Sequence, residues 1–468
     1  MDSENMDSTQ GRKPGKGLPK RYLLVSWLMA MSAVAFLDRT NISIAGVQIA
    51  REFKIDNAHL GWVFSAFLLG YAAFQIPGGV LARRLGPRRV IALGVIWSGL
   101  FTALTGLVPS GLRGALWVLV LIRFSLAAGE ALMYPGANQF VERWFPIEER
   151  GKANGIIFAG VGLGSGLTPV LVTAIVLHFG WRASFWFSSA LVLLAGSIWY
   201  LAARDTPEAH RWVRSRELEI IVRGRDDGRG NSRNESADAS ARSSDKQSVP
   251  WRKILRSKEI LALTLSYFTY GYVAWIFFSW FYIYLVQVRG LNLKTSAIYS
   301  MFPFIAMTLG SLIGGVVSDW LVRHFSARVG RCFLPASALA FTAVLLVAGS
   351  RAHHAQAASI ILACGAGVMY LAQSSFWSVT ADFAGEYAGI VSGAMNMGAQ
   401  VGGAVTASLT PWIALHFGWG ASFMTATIFV ALGALVWLAV DPSARLSSAA
   451  ADFDPDHKNG TSHRLASR

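Results

Sequence analysis

The amino-acid sequence predicts an all-α membrane protein, with twelve transmembrane helices arranged as two pseudo-symmetric bundles of six. Three observations lead there. Only 15% of the 468 residues are charged while 53% are hydrophobic, against about 25% charged in an ordinary soluble domain. The apolar residues fall into runs of the length a bilayer demands, about 20 residues per helix. A distinctive string occurs twice, once in each half of the chain.

The runs cover 22–48, 58–82, 88–109, 113–142, 152–178, 182–203, 256–288, 294–322, 331–350, 354–381, 386–416 and 419–440. The first follows a polar, basic segment ending at Arg21. It is longer than a signal-peptide core, and no clear small-residue cleavage site follows it, so it reads as a retained first helix. The 46 glycines suit this setting, because small residues let helices approach closely in lipid. Cys332 and Cys364 fall in or beside apolar runs; two cysteines so placed give neither a disulfide framework nor metal-ligand spacing and read as buried small hydrophobes.

The formal charge of +15 does not indicate nucleic acid, because the cations sit in short clusters between apolar runs. Arg12, Lys13, Lys16, Lys20 and Arg21 precede the first run, Arg83, Arg84, Arg88 and Arg89 lie between the second and third, and Arg323, Arg328 and Arg331 between the eighth and ninth. Such clusters mark the cytoplasmic side, which places both termini in the cytoplasm. The expected organisation is a cytoplasmic tail (1–21), a six-helix bundle (22–203), a cytoplasmic linker (204–255), a second six-helix bundle (256–440) and a cytoplasmic tail (441–468). The linker is rich in Arg, Ser, Asp and Asn, a composition of partial disorder. Within it, Glu208 to Arg223 reads as a surface helix.

The repeat joins the two bundles. His178-Phe179-Gly180-Trp181 recurs as His416-Phe417-Gly418-Trp419, and the same shift pairs Ala183-Ser184-Phe185 with Ala421-Ser422-Phe423. It also pairs Gly151 with Gly389, Gly155 with Gly393, Gly160 with Gly398 and Gly164 with Gly402. Gly79 precedes Arg83 by four residues, as Gly315 precedes Asp319. Parallel repeats with a site at their interface near the bilayer midplane are an architecture of secondary transporters.

Four ionisable residues lie inside spans of the first half: Asp38, Arg39, Arg123 and Glu130. Each costs about 2.5–3.5 kcal/mol at mid-membrane on insertion scales, so each needs a cavity or a partner. Asp38 and Arg39 are neighbours and point about 100° apart; one can face a cavity while the other meets a helix. Arg39 offers a planar fork suited to a carboxylate. A desolvated Asp38 can bind and release a proton. Arg123 and Glu130 are seven residues apart and share a face, separated by about 10 Å of rise. The plainer reading is a static polar network that fixes helix packing. The second half has Val368 and Ala372 where Glu130 and Tyr134 would repeat, an asymmetry that favours a charge-handling first half. Amides and aromatics supply the other candidates. Tyr71 and Gln75 share a face of the second span, Gln373 and Trp377 of the tenth, and Asn396 and Gln400 of the eleventh; amides in lipid need partners. The seventh span carries Tyr267, Tyr270, Tyr272, Trp275, Trp280, Tyr282 and Tyr284, most of which read as packing or interfacial residues.

These residues resemble the major facilitator superfamily. The segment Gly79-Val80-Leu81-Ala82-Arg83-Arg84-Leu85-Gly86-Pro87-Arg88-Arg89 is similar to its signature loop, with Arg83 where the usual residue is Asp; Asp319 keeps the acid in the second copy. Within the superfamily the chain resembles the anion:cation symporter family of sugar-acid and vesicular anion transporters. The matching segments are Asp38-Arg39-Thr40-Asn41-Ile42-Ser43-Ile44-Ala45, Arg123 with Glu130 followed by Tyr134-Pro135-Gly136, Trp280 with Tyr284-Leu285-Val286-Gln287-Val288-Arg289-Gly290, and Gly389, Gly393 and Asn396. It departs near Val161, where some members carry an amide. The resemblance implies that Arg39 binds a substrate carboxylate, that Asp38 and Glu130 carry protons, and that Tyr71, Trp377 and Asn396 contact substrate.

The expected function is proton-coupled import of a small organic anion, such as a hexonate, hexuronate or aldarate, by a monomer in the cell membrane, without a cofactor. The substrate-binding candidates are Arg39, Asn41, Tyr71, Gln75, Arg123, Tyr134, Trp280, Tyr284, Gln373, Trp377 and Asn396; the gating candidates are Arg83, Arg84, Arg88 and Asp319. An exchanger or uniporter without proton coupling is the rival within transport. A membrane-embedded sensor would need a signalling domain, for which linker and tail are too short and polar. An enzyme would need a nucleophile or metal cluster, and His353-His354, His178 and His416 sit at loop or helix ends.

Overall fold

A computed structural model of the protein describes residues 19–55, 57–226, 251–281, 284–285 and 288–442. The expected tails at 1–18 and 443–468, and the part of the linker at 227–250, lie outside the described residues. The regular elements of the described residues are all helices, with no strand. Helices α1 (Lys20–Phe53), α2 (Asn57–Leu85), α3 (Pro87–Leu107), α4 (Ala115–Glu130), α5 (Met133–Trp144), α6 (Arg150–Phe179) and α7 (Trp181–Ala202) precede the linker helix α8 (Ser215–Asp226). There follow α9 (Trp251–Arg256), α10 (Lys258–Ser279), α11 (Leu293–His324), α12 (Leu334–Arg351), α13 (Ala355–Leu371), α14 (Gln373–Ala384) and α15 (Ala388–Trp437).

Eleven segments of the described residues are long and apolar enough to cross a bilayer, where the sequence predicts twelve. The difference lies at Ala355–Ala407, a single 53-residue segment that takes in the expected runs 354–381 and 386–416. A straight helix of that length would reach about 80 Å, well beyond a hydrocarbon core of about 30 Å. The chain breaks it at Ala372 and at Gly385, which has φ 50°. The expected run 113–142 is likewise two helices, α4 and α5. Pro135 has no N–H to give the Ala131 carbonyl, and the helix interrupts just before it, at Ala131 and Leu132.

The repeated His-Phe-Gly-Trp string has a backbone reason. Gly180 has φ 80° and ψ 165°, and Gly418 has φ 82° and ψ 164°. This left-handed conformation is open to glycine at no steric cost, and it lets one helix turn straight into the next. The repeated glycines also do matching jobs. A Cβ at Gly160 or Gly164 would meet the Met29 or Ala33 carbonyl of α1; one at Gly398 or Gly402 would meet the Thr264 or Phe268 carbonyl of α10. Helices from the two sides of the linker cross in the same way: α6 packs on α11 and α15 on α2. Gly155 abuts Gly315 at the first crossing, and Gly79 abuts Gly389 at the second.

The helix ends around Lys20, Leu85, Arg150, Ala202 and His324 gather at one end of the molecule, called here the termini face. The linker docks there more tightly than expected. Its helix starts at Ser215, not Glu208, because residues 204–214 turn back onto the bundle. His210 Nε2 meets the Ala202 carbonyl at 3.0 Å, its Nδ1 accepts from the Trp212 N–H at 3.2 Å, and its ring meets Trp144 edge-on. Burial holds this imidazole below its usual range. Glu217 of α8 accepts the N–H groups of Lys20 and Arg21, both at 3.1 Å. It thereby satisfies free donors at the start of α1. At the opposite face, Arg182 grips Glu52 with two hydrogen bonds of 2.7 and 2.8 Å and holds its carboxyl down to about 2. Cys332 is buried, but Cys364 lies on the outer surface of α13, which corrects the expectation that both are core residues: its position on the helix faces away from the neighbouring helices.

Candidate functional site

A cavity of about 70 Å³ lies between the helices that precede the linker and those that follow it. Helix α1 contributes Phe36 and Arg39, α2 Tyr71, α5 Tyr134, and α6 Phe158 and Val161. From the other side come Tyr267, Tyr270, Trp275 and Phe278 of α10, Tyr370 of α13, Gln373 and Trp377 of α14, and Asn396 and Gln400 of α15. Of the sequence candidates, Arg39, Tyr71, Tyr134, Gln373, Trp377 and Asn396 are thus brought together. Tyr267 orders the far wall, accepting hydrogen bonds from Gln373 Nε2 at 2.9 Å and Trp377 Nε1 at 3.1 Å. Tyr134 shares a 2.7 Å hydrogen bond with Ser32 and stacks on Phe158.

Arg39 is the one charged side chain on the cavity wall among the described residues. Its guanidinium lies over the rings of Tyr71 and Phe36 at 4.3 and 4.5 Å, a cation–π seating. Behind it, Nε donates to Glu130 Oε2 at 2.5 Å. Its Nη2 has no hydrogen-bond partner, and neither has the Tyr71 hydroxyl. Glu130 therefore sits one residue back from the cavity, at the end of α4, where it lines a smaller void with Met31, Ser98 and Met133.

Asp38 points the other way, as its place beside Arg39 on a helix dictates. It accepts from Thr102 of α3 at 2.7 Å, and Arg123 interacts with its charge. Arg123 is fully buried over the Phe67 ring at 5.0 Å, with Nε and Nη1 unpartnered. The four charges act as one network: Arg39 is ion-paired with Glu130, and Asp38, held by Thr102, is within electrostatic reach of Arg123. This resolves how two residues about 10 Å apart on one helix face come to share a network.

Five sequence candidates lie off the cavity wall. Asn41 accepts from Ser184 at 2.8 Å and donates to Ser188 at 3.2 Å, so its amide joins α1 to α7. Tyr284 receives Arg289 Nε at 2.6 Å and packs on Trp419 and Phe423. Trp280 has a buried indole N–H without a partner. Gln75 is fully buried, with both amide atoms unpartnered, at the α2–α15 crossing. Arg123 belongs to the charge network. The residues that sequence reasoning passed over are Phe36, Phe158, Phe278 and Tyr370, which look like any other span aromatic, and Thr102, whose hydroxyl is ordinary in a helix until Asp38 is seen beside it.

The termini face is sealed by polar contacts across the linker-divided halves. Asp319 accepts the N–H groups of Gly151 and Lys152 at the start of α6 and pairs with Arg331 at 2.9 Å. Arg331 also reaches Asp382, which pairs with Arg150 at 2.9 Å. An acid at a helix N-terminus meets free N–H groups and a favourable dipole. At the related position Arg83 cannot do this; it lies over the Tyr387 ring at 4.5 Å and pairs with Glu386 at 3.6 Å, beside the start of α15. Arg88 stays within its own half, bonded to the Tyr200 carbonyl.

A bundle of membrane-crossing helices around a central cavity with one arginine in its wall is the arrangement of a multi-pass membrane transporter, and comparison with known proteins gives the same class. Residues 28–407 match the sequence model of the Major Facilitator Superfamily, and the chain belongs to that family. It is 32% identical over 443 residues to a probable sulfoacetate transporter of Cupriavidus necator, covering 94% of this chain and 97% of the relative. It is 29% identical over 430 residues to a probable galactarate/D-glucarate transporter of Escherichia coli, covering 89% and 91%. Among solved structures, a proton:xylose symporter superposes with a TM-score of 0.67 at 18% identity, covering 92% of this chain and 99% of that one.

Proposed function

We propose that the protein imports a small organic anion by proton symport. It acts as a monomer in the cell membrane, with both termini cytoplasmic. The observation that carries this reading is the place of Arg39: its Nε is held by Glu130, while its Nη2 makes no hydrogen bond and its guanidinium lies over the Tyr71 ring at the cavity wall. An anionic head entering the cavity competes with Glu130 for the same cation. A carboxylate left without its counter-charge in lipid is costly, and a proton relieves that cost. Competition for one guanidinium thus couples anion binding to protonation of Glu130, with Asp38 as a second proton carrier. Residues 22–203 and 256–440 are the bundles that rock about the site, and the basic clusters put the termini face in the cytoplasm. The relatives named for sulfoacetate and for galactarate and D-glucarate support an anionic substrate. One proton per monoanion is electroneutral; two move net charge, worth about 2.3 kcal/mol per 100 mV.

The test is uptake of labelled sulfoacetate, gluconate and glucarate into proteoliposomes. Accumulation driven by an inward proton gradient, and its collapse with a protonophore, is the expected result. Accumulation of an anion by Glu130→Gln would overturn the assignment. Counterflow that needs no gradient, with no gradient-driven accumulation in the wild type, would establish the exchanger instead.

A further inference from the structure

The cavity is electrically lopsided. Its only charge among the described residues, Arg39, stands on the α1 side, together with the unpartnered Tyr71 hydroxyl. The wall built by the second half carries Gln373, Asn396 and Gln400 and no cation. Gln373 Oε1 and Gln400 Oε1 are buried acceptors without donors, and a buried polar group without a partner is costly. The second arginine of the network, Arg123, lies behind Phe67 with Asp38 and is not on the cavity wall. Protonation of both acids therefore does not bring a second cation to the far end.

We propose that the site selects monoanions over dianions: one anionic head is held at Arg39 and Tyr71, and a neutral remainder donates hydrogen bonds to Gln373 and Gln400. This rests on the organic-anion reading and narrows it. A second carboxylate would lie against neutral amides, with no cation to offset its lost hydration. A hydroxyl in the same place satisfies the free amide oxygens. At about 10–15 Å³ per water, 70 Å³ holds about six waters, the bulk of a three-carbon hydroxy acid such as glycerate. The preference separates this chain from what the names of its aldarate and sulfoacetate relatives describe.

The experiment compares matched pairs by thermal shift and by competition for counterflow at pH 7, on the purified full chain. Gluconate is set against glucarate, and glycerate against tartronate; carboxyl groups with pKa values of about 4 are fully ionised there. The monoacid of each pair is expected to bind at least about tenfold more tightly, a difference of about 1.4 kcal/mol. A diacid that binds as tightly as its monoacid overturns the inference and leaves the anion reading standing. If no carboxylate binds, the anion reading falls and the inference falls with it. Gln400→Lys, which adds a cation to the neutral wall, is expected to close the gap for glucarate. A folded Gln400→Lys protein with an unchanged gap overturns the assignment to this wall, while the wild-type comparison decides the selectivity whatever the variant does.

Discussion

Arg39 Nε donates to Glu130 Oε2 across the α1–α4 contact, while Nη2 of the same guanidinium is left without a partner. The pair is buried on both sides, at 8% and 4% side-chain exposure. The long side chain of Arg39 carries a charge from the cavity wall to an acid that does not itself reach it.

Glu130→Gln keeps the size and removes the charge. Arg39 then has no competitor, so anion affinity is expected to rise several-fold while gradient-driven accumulation is lost and counterflow persists. Equilibrium binding measured beside proteoliposome uptake checks all three.

Arg39→Gln is expected to abolish anion binding and to lower thermal stability, because it leaves Glu130 buried beside a neutral amide; removing one partner of a buried pair costs about 3–5 kcal/mol. Lowering the pH should recover part of that stability, since protonated Glu130 no longer needs a cation. Arg39→Lys keeps a charge without the fork and should bind anion weakly. Melting curves at two pH values, with and without ligand, check both variants.

The crossing of α2 and α15 predicts an asymmetric response to alanine. A Cβ at Gly79 would run into the Gly389 carbonyl and come within 2.5 Å of Ile390 Cα, whereas one at Gly389 would meet the Pro135 carbonyl at 3.1 Å and Gly79 Cα at 3.4 Å. Gly79→Ala is expected to cost about 1–3 kcal/mol and to pry the termini face open. Gly389→Ala should cost less, since the Pro135 carbonyl at 3.1 Å has only to shift slightly. Labelling of a cysteine placed at Asn138, which bonds Thr380 across the seal, reads the opening.

Asp319→Asn removes the charge that meets two N–H groups of α6 and Arg331. The seal should loosen, with faster labelling from the termini face and slower transport, but with anion affinity of the isolated site little changed. A large loss of affinity instead would mean that this cluster reaches the cavity.

His210 gives a pH dependence with a definite sign. Its imidazole titrates below the usual value near 6.5 in the folded chain, so docking of the linker is fully supported above that pH and weakens as pH falls through the lowered value. Protonation would also set an Nδ1 proton against the Trp212 N–H that Nδ1 now accepts. Protease cleavage within 204–226 should therefore accelerate on acidification in the wild type and lose that dependence in His210→Phe.

Much of this was readable from the residues. The buried charges stood out because each is expensive in lipid, and the repeated glycines stood out because a helix turn and a close crossing both need them. Asn41 illustrates what was not readable: an amide in a span looks the same whether it faces a cavity or ties α1 to Ser184 and Ser188 of α7. The pairing of Asp38 with Thr102 was hidden for a related reason, since 64 residues separate them and no local pattern links their faces. The break in the 113–142 run was signalled by Pro135, but apolar continuity outweighed it.

The lopsided wall has a consequence for how such a chain diversifies. The charges that would move a proton descend from one repeat, and the amides that would read the cargo descend from the other. Substitutions at Gln373, Asn396 or Gln400 can change what is carried without touching the coupled ion pairs. Exchanging second halves between relatives would then be a route to new cargo on an unaltered drive.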